Sequence, residues 1–427
     1  MPDLREMPEV GRSAFNLFSS DDAGDGADAA PAAFMLDPSM EDGTSSEIIG
    51  ALLVRRSVLE PGPMRQVADA VMAANARAAE AELRAALLRA EAESYNWLPT
   101  LGPSVSLTSL GSVAASLVLN QAIIDHGARR AERDFAKHDV EVAAVALAED
   151  SNARVMSALE LYLTAEAARA RAEVGQAASE GMAHFAYVMR ERVNAGISDR
   201  ADLRVITQKQ DQVLADLASD RDAAASALRE LQAMAASPVT EVSGLSGLSN
   251  ASLTAEALTV MRARAESARA VAGAKAERAG FLPGLNLGGS IGTDGTDAGL
   301  TAAAPNGIGF GMGASMRAIE AQEEAAAARI GAEREEAARD IAALEGRLES
   351  LRRQEAEAIR LAQQAAENYN LFAEQQRAGQ RGVSEVVGVY ETKVRAERTA
   401  VGLRYDVVLA ELRIAERLGL LVDGDRM

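Results

Sequence analysis

The stretch QQRAGQRGVSEVVGVYETKV, residues 375–394, ends one long helical pattern at Ala378-Gly379, turns within a few residues and leaves as a second helix of heptad character. A related stretch, RVNAGISDRADLRVITQKQ at 192–210, repeats the plan around Ala195-Gly196. Each reads as the tip of an αα hairpin. The two Ala-Gly pairs lie about 183 residues apart, and the same offset joins Trp97-Leu98-Pro99 to Phe281-Leu282-Pro283 and Leu228-Arg229 to Leu412-Arg413. Landmarks in register mark a duplication, and the unit is far longer than the roughly 20 to 50 residues of a solenoid repeat. The chain is therefore read as two copies of one large module.

Composition narrows what such a module can be. The 427 residues contain 4% aromatics and abundant Ala, which suits thin layers of closely approaching helices rather than a thick globular core. A net charge of −19, from 63 acids against 44 bases, excludes the basic stripe of a nucleic-acid binder. With no Cys there is no disulfide, thiolate metal site or lipidated thiol. No apolar run reaches the length of about 18 residues that a spanning helix needs, a criterion that says nothing of β-barrel strands. The start, MPDLREMPEV, lacks the basic and apolar regions of a signal peptide.

Taken in order, residues 1–46 are acidic and rich in Gly, Ala, Asp and Ser, the composition of a disordered segment. The first repeat spans 47–240. It opens with Ile48–Val54, a short docking helix or strand, and continues with a helix from about Met64 to Tyr95 that Pro99 stops. The period then changes to two: Val105, Leu107 and Ser109 alternate with Ser104, Ser106 and Thr108, and Val113, Ala115, Leu117 and Leu119 repeat the alternation after Leu110-Gly111. A helix over about 123–194 follows, about 100 Å long at 1.5 Å per residue, and a heptad return helix over 201–236 in which Gln210 and Asp220 interrupt the apolar track. A linker covers 241–252, and the second repeat covers 253–420. In that repeat Leu285, Leu287 and Ile291 mark one strand and Ile308, Phe310, Met312 and Ala314 the other, joined by the loop IGTDGTDAG. Helices over 317–377 and from Val383 to before Gly419 complete it, leaving 421–427 as a polar tail.

The predicted fold is mainly α with a small β part. Four strands with no other strand-like segment are too few for an independent sheet, so the natural source of partners is other subunits, three of which would close twelve strands into a barrel with no edge. A half-buried hairpin of a soluble sheet is the competing reading of the same alternation.

The order of helix, Leu-Pro, strand pair, very long helix, Ala-Gly tip and heptad return helix, occurring twice over about residues 64–420, resembles the TolC-like outer-membrane efflux and secretion family. The parts that carry it are WLP at 97–99, FLP at 281–283, LVLNQAIIDHG at 117–127 and the two tips. The resemblance implies a homotrimer with a twelve-stranded barrel in the bacterial outer membrane and a helical tunnel in the periplasm. Such a duct serves a tripartite efflux pump or a type I secretion system, with a periplasmic adaptor and an inner-membrane pump or ABC transporter as partners. The QAIIDHG segment leans toward type I secretion members. By the same resemblance Asp202, Arg381 and Glu385 stand at the tunnel mouth, Asp202 and Arg381 as a pair, with Gly388 where members have a second acid. Gly196, Ile197, Leu203, Gly379, Val383 and Val386 form the surface offered to the adaptor. Tyr95, Trp97 and Phe281 fall where interfacial rings meet lipid headgroups, and fit ordinary helix–strand packing equally well. The proline that often ends the second hairpin strand is not found at Ser315-Met316-Arg317. The alternative in another class is a periplasmic adaptor or other coiled-coil scaffold.

No catalytic constellation, cofactor site or metal site emerges. His126, His138 and His184 lack paired spacing, and GFGMG at 309–313 is accounted for by strand alternation without the context of a nucleotide loop.

Overall fold

The computed structural model describes residues 46–74, 78–109, 112–249, 255–292, 295–307 and 309–426. The segment expected to be disordered lies, but for Ser46, outside them, as do the Leu110-Gly111 turn and Ile308. In chain order the elements are α1 (Glu47–Leu53), α2 (Pro63–Met72), α3 (Ala78–Ser94), β1 (Thr100–Ser109), β2 (Ser112–Ile124), α4 (Ala128–Asn194), α5 (Arg200–Met234), α6 (Leu258–Gly280), β3 (Gly284–Gly292), β4 (Gly295–Ala303), α7 (Met312–Arg377) and α8 (Val383–Arg417). The duplication is plain in these bounds: β1, β2, α4 and α5 of the first copy match β3, β4, α7 and α8 of the second, start for start.

Helix α4, 67 residues long, is the spine. Helices α3, α5, α6 and α8 all pack on it, while α7 packs on α6 and α8. Its buried residues are mostly small, Ala144, Ala148, Ala158, Ala165 and Ala168 among them, which lets neighbouring backbones approach closely. Helix α5 buries Leu217, Asp220, Ala224, Ala227 and Leu231 in three-four alternation, the heptad expected for left-handed supercoiling. Helix α7 differs. It buries Ala326, Ala337 and Leu348 at eleven-residue spacing, a period that drives no left-handed supercoil, and the rest of its surface is largely exposed.

The main core lies where both modules meet. Met64, Val67 and Val71 of α2 pack with Val155, Leu159 and Tyr162 of α4, Leu231 of α5 and Leu412 and Ile414 of α8. That core corrects two expectations. The helix expected from Met64 to Tyr95 is two helices, because α2 turns a full apolar face inward while α3 buries only Leu83 and Ala86, and one straight rod cannot present both. Arg154 covers the end of α2 by donating to the Val71 carbonyl at 3.3 Å. The start of the segment expected as a polar tail is part of the core: Leu421 and Val422 are buried, and Asn152 Oδ1 accepts the Leu421 N–H at 2.9 Å. Arg55 completes the closure, donating to the Leu418 carbonyl and, at 2.6 Å, to the Glu256 carbonyl. Burial lowers the Arg55 guanidinium to about 10 against the pull of Glu256, which leaves it a cation at neutral pH. The expected linker is no loose tether either, since Tyr162 donates to the Gly244 carbonyl at 2.6 Å and Leu248 bridges Leu59.

The four strands form one antiparallel sheet in the order β1-β2-β3-β4. The fourth strand is not at 308–314, where alternation suggested it, but at Gly295–Ala303. Gly292 pairs with Gly295, which keeps β4 in continuous register with β3, whereas a strand beginning at 308 would need a long connection. Pro305, lacking an N–H for the ladder, follows directly. A proline thus stands two residues after the observed β4, whereas none stands at 315–317.

Truncating Leu231, which is fully buried, to Ala is expected to lower the unfolding free energy in urea by about 2–5 kcal/mol. Ser226→Ala on the exposed face of the same helix is expected to stay within about 0.5 kcal/mol.

Candidate functional site

Two regions carry the functional geometry, the sheet and the hairpin tips at the far end of the rods. Across the sheet, Leu101, Leu119, Gly289 and Ala298 align in one row and Pro103, Leu117, Ile291 and Thr296 in the next, on one face. The intervening rows on the other face are Thr100, Asn120, Gly288 and Gly299, then Gly102, Val118, Ser290 and Asp297. One face is therefore apolar and the other small or polar, as period-two alternation demands. The strands are 9 to 13 residues long, and about 9–11 tilted residues cross a bilayer. Gln121 falls on the apolar face at its helix-side end, with its amide spent on the Trp97 carbonyl at 3.0 Å. Strands β1 and β4 are the edges, and among the described residues neither is paired on its outer side.

The junctions between sheet and rods are built by local capping. Asp125 accepts the N–H groups of Gly127 and Arg129, both at 3.0 Å, and so starts α4. Burial would raise its carboxyl, but those backbone donors and the Arg129 charge hold it below the usual range. His126, at φ +52°, reaches the Pro283 carbonyl at 3.1 Å and joins the first module to the second. Tyr95 and Trp97 are exposed here and Phe281 is half-buried, and all three lie between a helix end and the start of a strand.

Both tips are Schellman turns. At the first, Ile197 N–H bonds the Arg192 carbonyl and Gly196 N–H that of Val193; at the second, Gln380 and Gly379 bond the carbonyls of Gln375 and Gln376. Gly196 and Gly379 sit at φ +74° and +75°, where a side chain would be strained. Asp199 then caps α5 by accepting from Ala201 N–H at 3.1 Å, whereas Gly382 offers α8 no side-chain cap.

Of the residues assigned to the tunnel mouth, Asp202 and Glu385 are exposed in the first turns of α5 and α8. Arg381 does not pair with Asp202 within the chain. It donates to Glu385 at 3.0 Å and to Gln375 at 3.0 Å, and lies 4.6 Å over the Phe372 ring, because these partners belong to its own hairpin and require no crossing between tips. The surface expected at the tips also needs correction. Gly196, Ile197 and Gly379 are exposed and Leu203 half-buried, but Val383 and Val386 are buried against Phe185, Met189 and Ile206 of the first hairpin. They hold the two tips together and are not accessible to a partner.

Sequence reasoning missed the tie between hairpins. Tyr390 of α8 donates to the Ala177 carbonyl at 3.1 Å and meets Phe185 edge-on, its hydroxyl lying over Gly181. Higher up, Asp220, which looked like a break in the heptad, is buried between Arg171 at 3.3 Å and Arg398 at 2.6 Å and so links α4, α5 and α8. A groove of about 740 Å³ separates α5 from α8, bridged by the Lys209–Glu391 ion pair. Among the described residues no cluster of three or more His, Asp or Glu could hold a metal ion, and no helix is long and apolar enough to cross a membrane.

The architecture of a two-faced sheet set on duplicated helical hairpins is shared with known structures. A membrane protein from Pseudomonas aeruginosa superposes with a TM-score of 0.75 at 18% identity, over 86% of this chain and 92% of that one. The outer membrane protein VceC from Vibrio cholerae matches at 0.70 and 17% identity, over 83% and 96%. The MtrE outer membrane channel of Neisseria gonorrhoeae, in its open state, matches at 0.61 and 18% identity, over 94% and 99%. The fold is that of TolC-like outer-membrane channels. No family model and no curated protein matches the sequence. Nearly the whole length of these TolC-like structures is covered, so sheet, rods and tips all take part in the likeness.

The Tyr390 contact makes Gly181 sensitive. A Cβ there would stand 2.6 Å from the phenol Cζ, so Gly181→Ala is expected to expel the ring and cost about 1–3 kcal/mol in urea unfolding. Burial, reinforced by Tyr369, pushes the Tyr390 phenol up to about 12. Its contribution to stability is whole below the unfolded phenol value of about 10 and is lost as pH rises through the folded one, which Tyr390→Phe should abolish.

Proposed function

We propose that three copies of this chain assemble into an outer-membrane exit duct that conducts substrate passively across the periplasm and outer membrane. The observation that carries this reading is the sheet: four strands of membrane-crossing length, apolar on one face, small and polar on the other, with both edges open. Three such sheets joined β4 to β1 give twelve strands and no edge, with lipid outside and a wet lumen within. The long hairpins, about 100 Å from sheet to tip at 1.5 Å per residue, continue the wall through the periplasm.

In this assembly the exposed Asp202, Arg381 and Glu385 appear three times around the mouth. Glu385 then concentrates negative potential at one height, moderated by its own Arg381. The adaptor of a tripartite efflux pump or type I secretion system, itself coupled to an inner-membrane pump or ABC transporter, meets Gly196, Ile197, Leu203 and Gly379. Val383 and Val386 act beneath that surface by fixing its shape.

Gly379→Trp is expected to abolish export while heat-modifiable trimers persist in detergent extracts of the outer membrane. Normal export by that variant removes the tip assignment, and a monomer in the soluble fraction removes the duct.

A further inference from the structure

The groove between α5 and α8 is cation-rich in a chain whose net charge is −19. Arg171 of α4, Lys209 of α5, and Arg395 and Arg398 of α8 line it, against the acids Asp216 and Glu391. Both acids already have donors: Lys209 pairs with Glu391, and Gln212 donates its amide to Asp216 at 2.9 Å. Asp220, buried beside the groove, is one carboxylate shared by the guanidiniums of Arg171 and Arg398, so that cluster keeps one positive charge in excess. Most of its N–H donors are also left over. Arg171 gives only its Nε–H to Asp220, and Arg398 uses only Nη1, on Asp220 and on the Arg171 carbonyl at 3.4 Å. Their other N–H groups, and every side-chain N–H of Arg395, have no protein acceptor among the described residues.

The same groove has an apolar strip. Val213 is half-buried and Val205 exposed on α5, with Met182 and Val394 buried next to them. Helices α5 and α8 both run away from their tips, and Lys209 meets Glu391 at a separation of 182 residues. The same separation sets Arg395 level with Val213, so a free guanidinium stands across from an apolar side chain. An inorganic anion would satisfy the charge and leave the strip wet. An apolar molecule would cover the strip and leave the guanidiniums without acceptors. A ligand with an acidic head and an apolar body answers both, and about 740 Å³ is room enough for one of drug-like size.

We infer that this groove binds an amphipathic organic anion, a carboxylate, sulfate or sulfonate on an apolar body, with Arg395 and Arg398 holding the head and Val205 and Val213 the body. The bound anion bridges α8 to α5 across the gap. The site lies within one copy of the chain and stands independently of the membrane reading. The test is calorimetric titration of the full-length protein, in neutral maltoside detergent at low ionic strength, with naphthalene-1,5-disulfonate, a probe too polar to enter the micelles. A dissociation constant of about 1 mM or tighter is expected. Arg395→Gln and Val205→Asp are each expected to weaken it roughly tenfold or more, whereas Arg204→Gln, which removes an exposed charge outside the groove, leaves it unchanged. Neither Arg395 nor Val205 is buried, so both variants are expected to keep the parent's thermal melting profile. Inorganic sulfate is expected to compete roughly tenfold or more weakly than the disulfonate. Binding weaker than about 1 mM overturns the inference. So does equal affinity in Arg395→Gln, or an equal loss in Arg204→Gln, which would assign the binding to diffuse charge. Sulfate that competes as well as the disulfonate overturns the amphipathic ligand.

Discussion

An antiparallel strand at the edge of a sheet leaves half of its backbone donors and acceptors without partners, and in lipid each such group costs several kcal/mol. This chain has two such edges, β1 and β4, on a sheet whose apolar face spans a bilayer's worth of residues. In water the edges could hydrate but the face could not; in lipid the face is satisfied and the edges are not. Closure of the proposed kind would resolve both at once, and the small residues on the second face, Gly288, Ser290 and Gly299, would leave room for a lumen inside the ring.

Helix α4 mixes Ala, Gly and Ser with larger side chains on its buried surface, which lets several neighbours approach closely. Helix α4 is covered on several sides and is the best buried, whereas α7 buries residues about every eleventh position and exposes Ile359, Leu361 and Leu371. A surface helix with one narrow seam and stray apolar residues outside it has area left for a neighbour. The large side chains gather into one knot formed by α2, the middle of α4, the end of α5, the last part of α8 and the residues that follow it, and into a second group near the tips.

Much of this was legible before any coordinates. The duplication, the two Ala-Gly tips, the first hairpin and the extent of α4, α5 and α8 follow from glycine placement and from periods of two and three to four, which are local signals. What local signals could not carry is equally specific. Ile308, Phe310 and Met312 alternate with glycine and so imitate a strand, while the true β4, GTDAGLTAA, is weakly patterned because its apolar face carries only Leu300 among small residues and its other face mixes Gly with Asp297 and Thr301. Only pairing to β3 distinguishes them. The break after Met72, the buried tail and the role of Asp220 depend on residues 50 to 360 positions away, for which sequence periodicity holds no information. Val383 and Val386 looked like exposed anchors because a tip is exposed in a single hairpin; it is the second hairpin that buries them.

The distribution of polar contacts between the hairpins has an energetic consequence. At the tip, Arg381 and Glu385 are both largely exposed and belong to one hairpin, so their pairing is worth about 1 kcal/mol or less and does nothing to join the two. The joining is done by Val383, Val386 and Tyr390 near the tip and by buried Asp220 between Arg171 and Arg398 higher up. Removing one partner of such a buried ionic cluster costs about 3–5 kcal/mol because the remaining charge is stranded. Between these two levels the return helices α5 and α8 are separated by a groove and bridged by Lys209 and Glu391, both partly wet. The hairpins are thus fastened near the tip, at Asp220 and again in the main core, with a wet groove beside the first two fastenings. Any motion of one hairpin against the other must either break a fastening whose loss exceeds the energy of the exposed Arg381–Glu385 pair, or carry both hairpins together as one body.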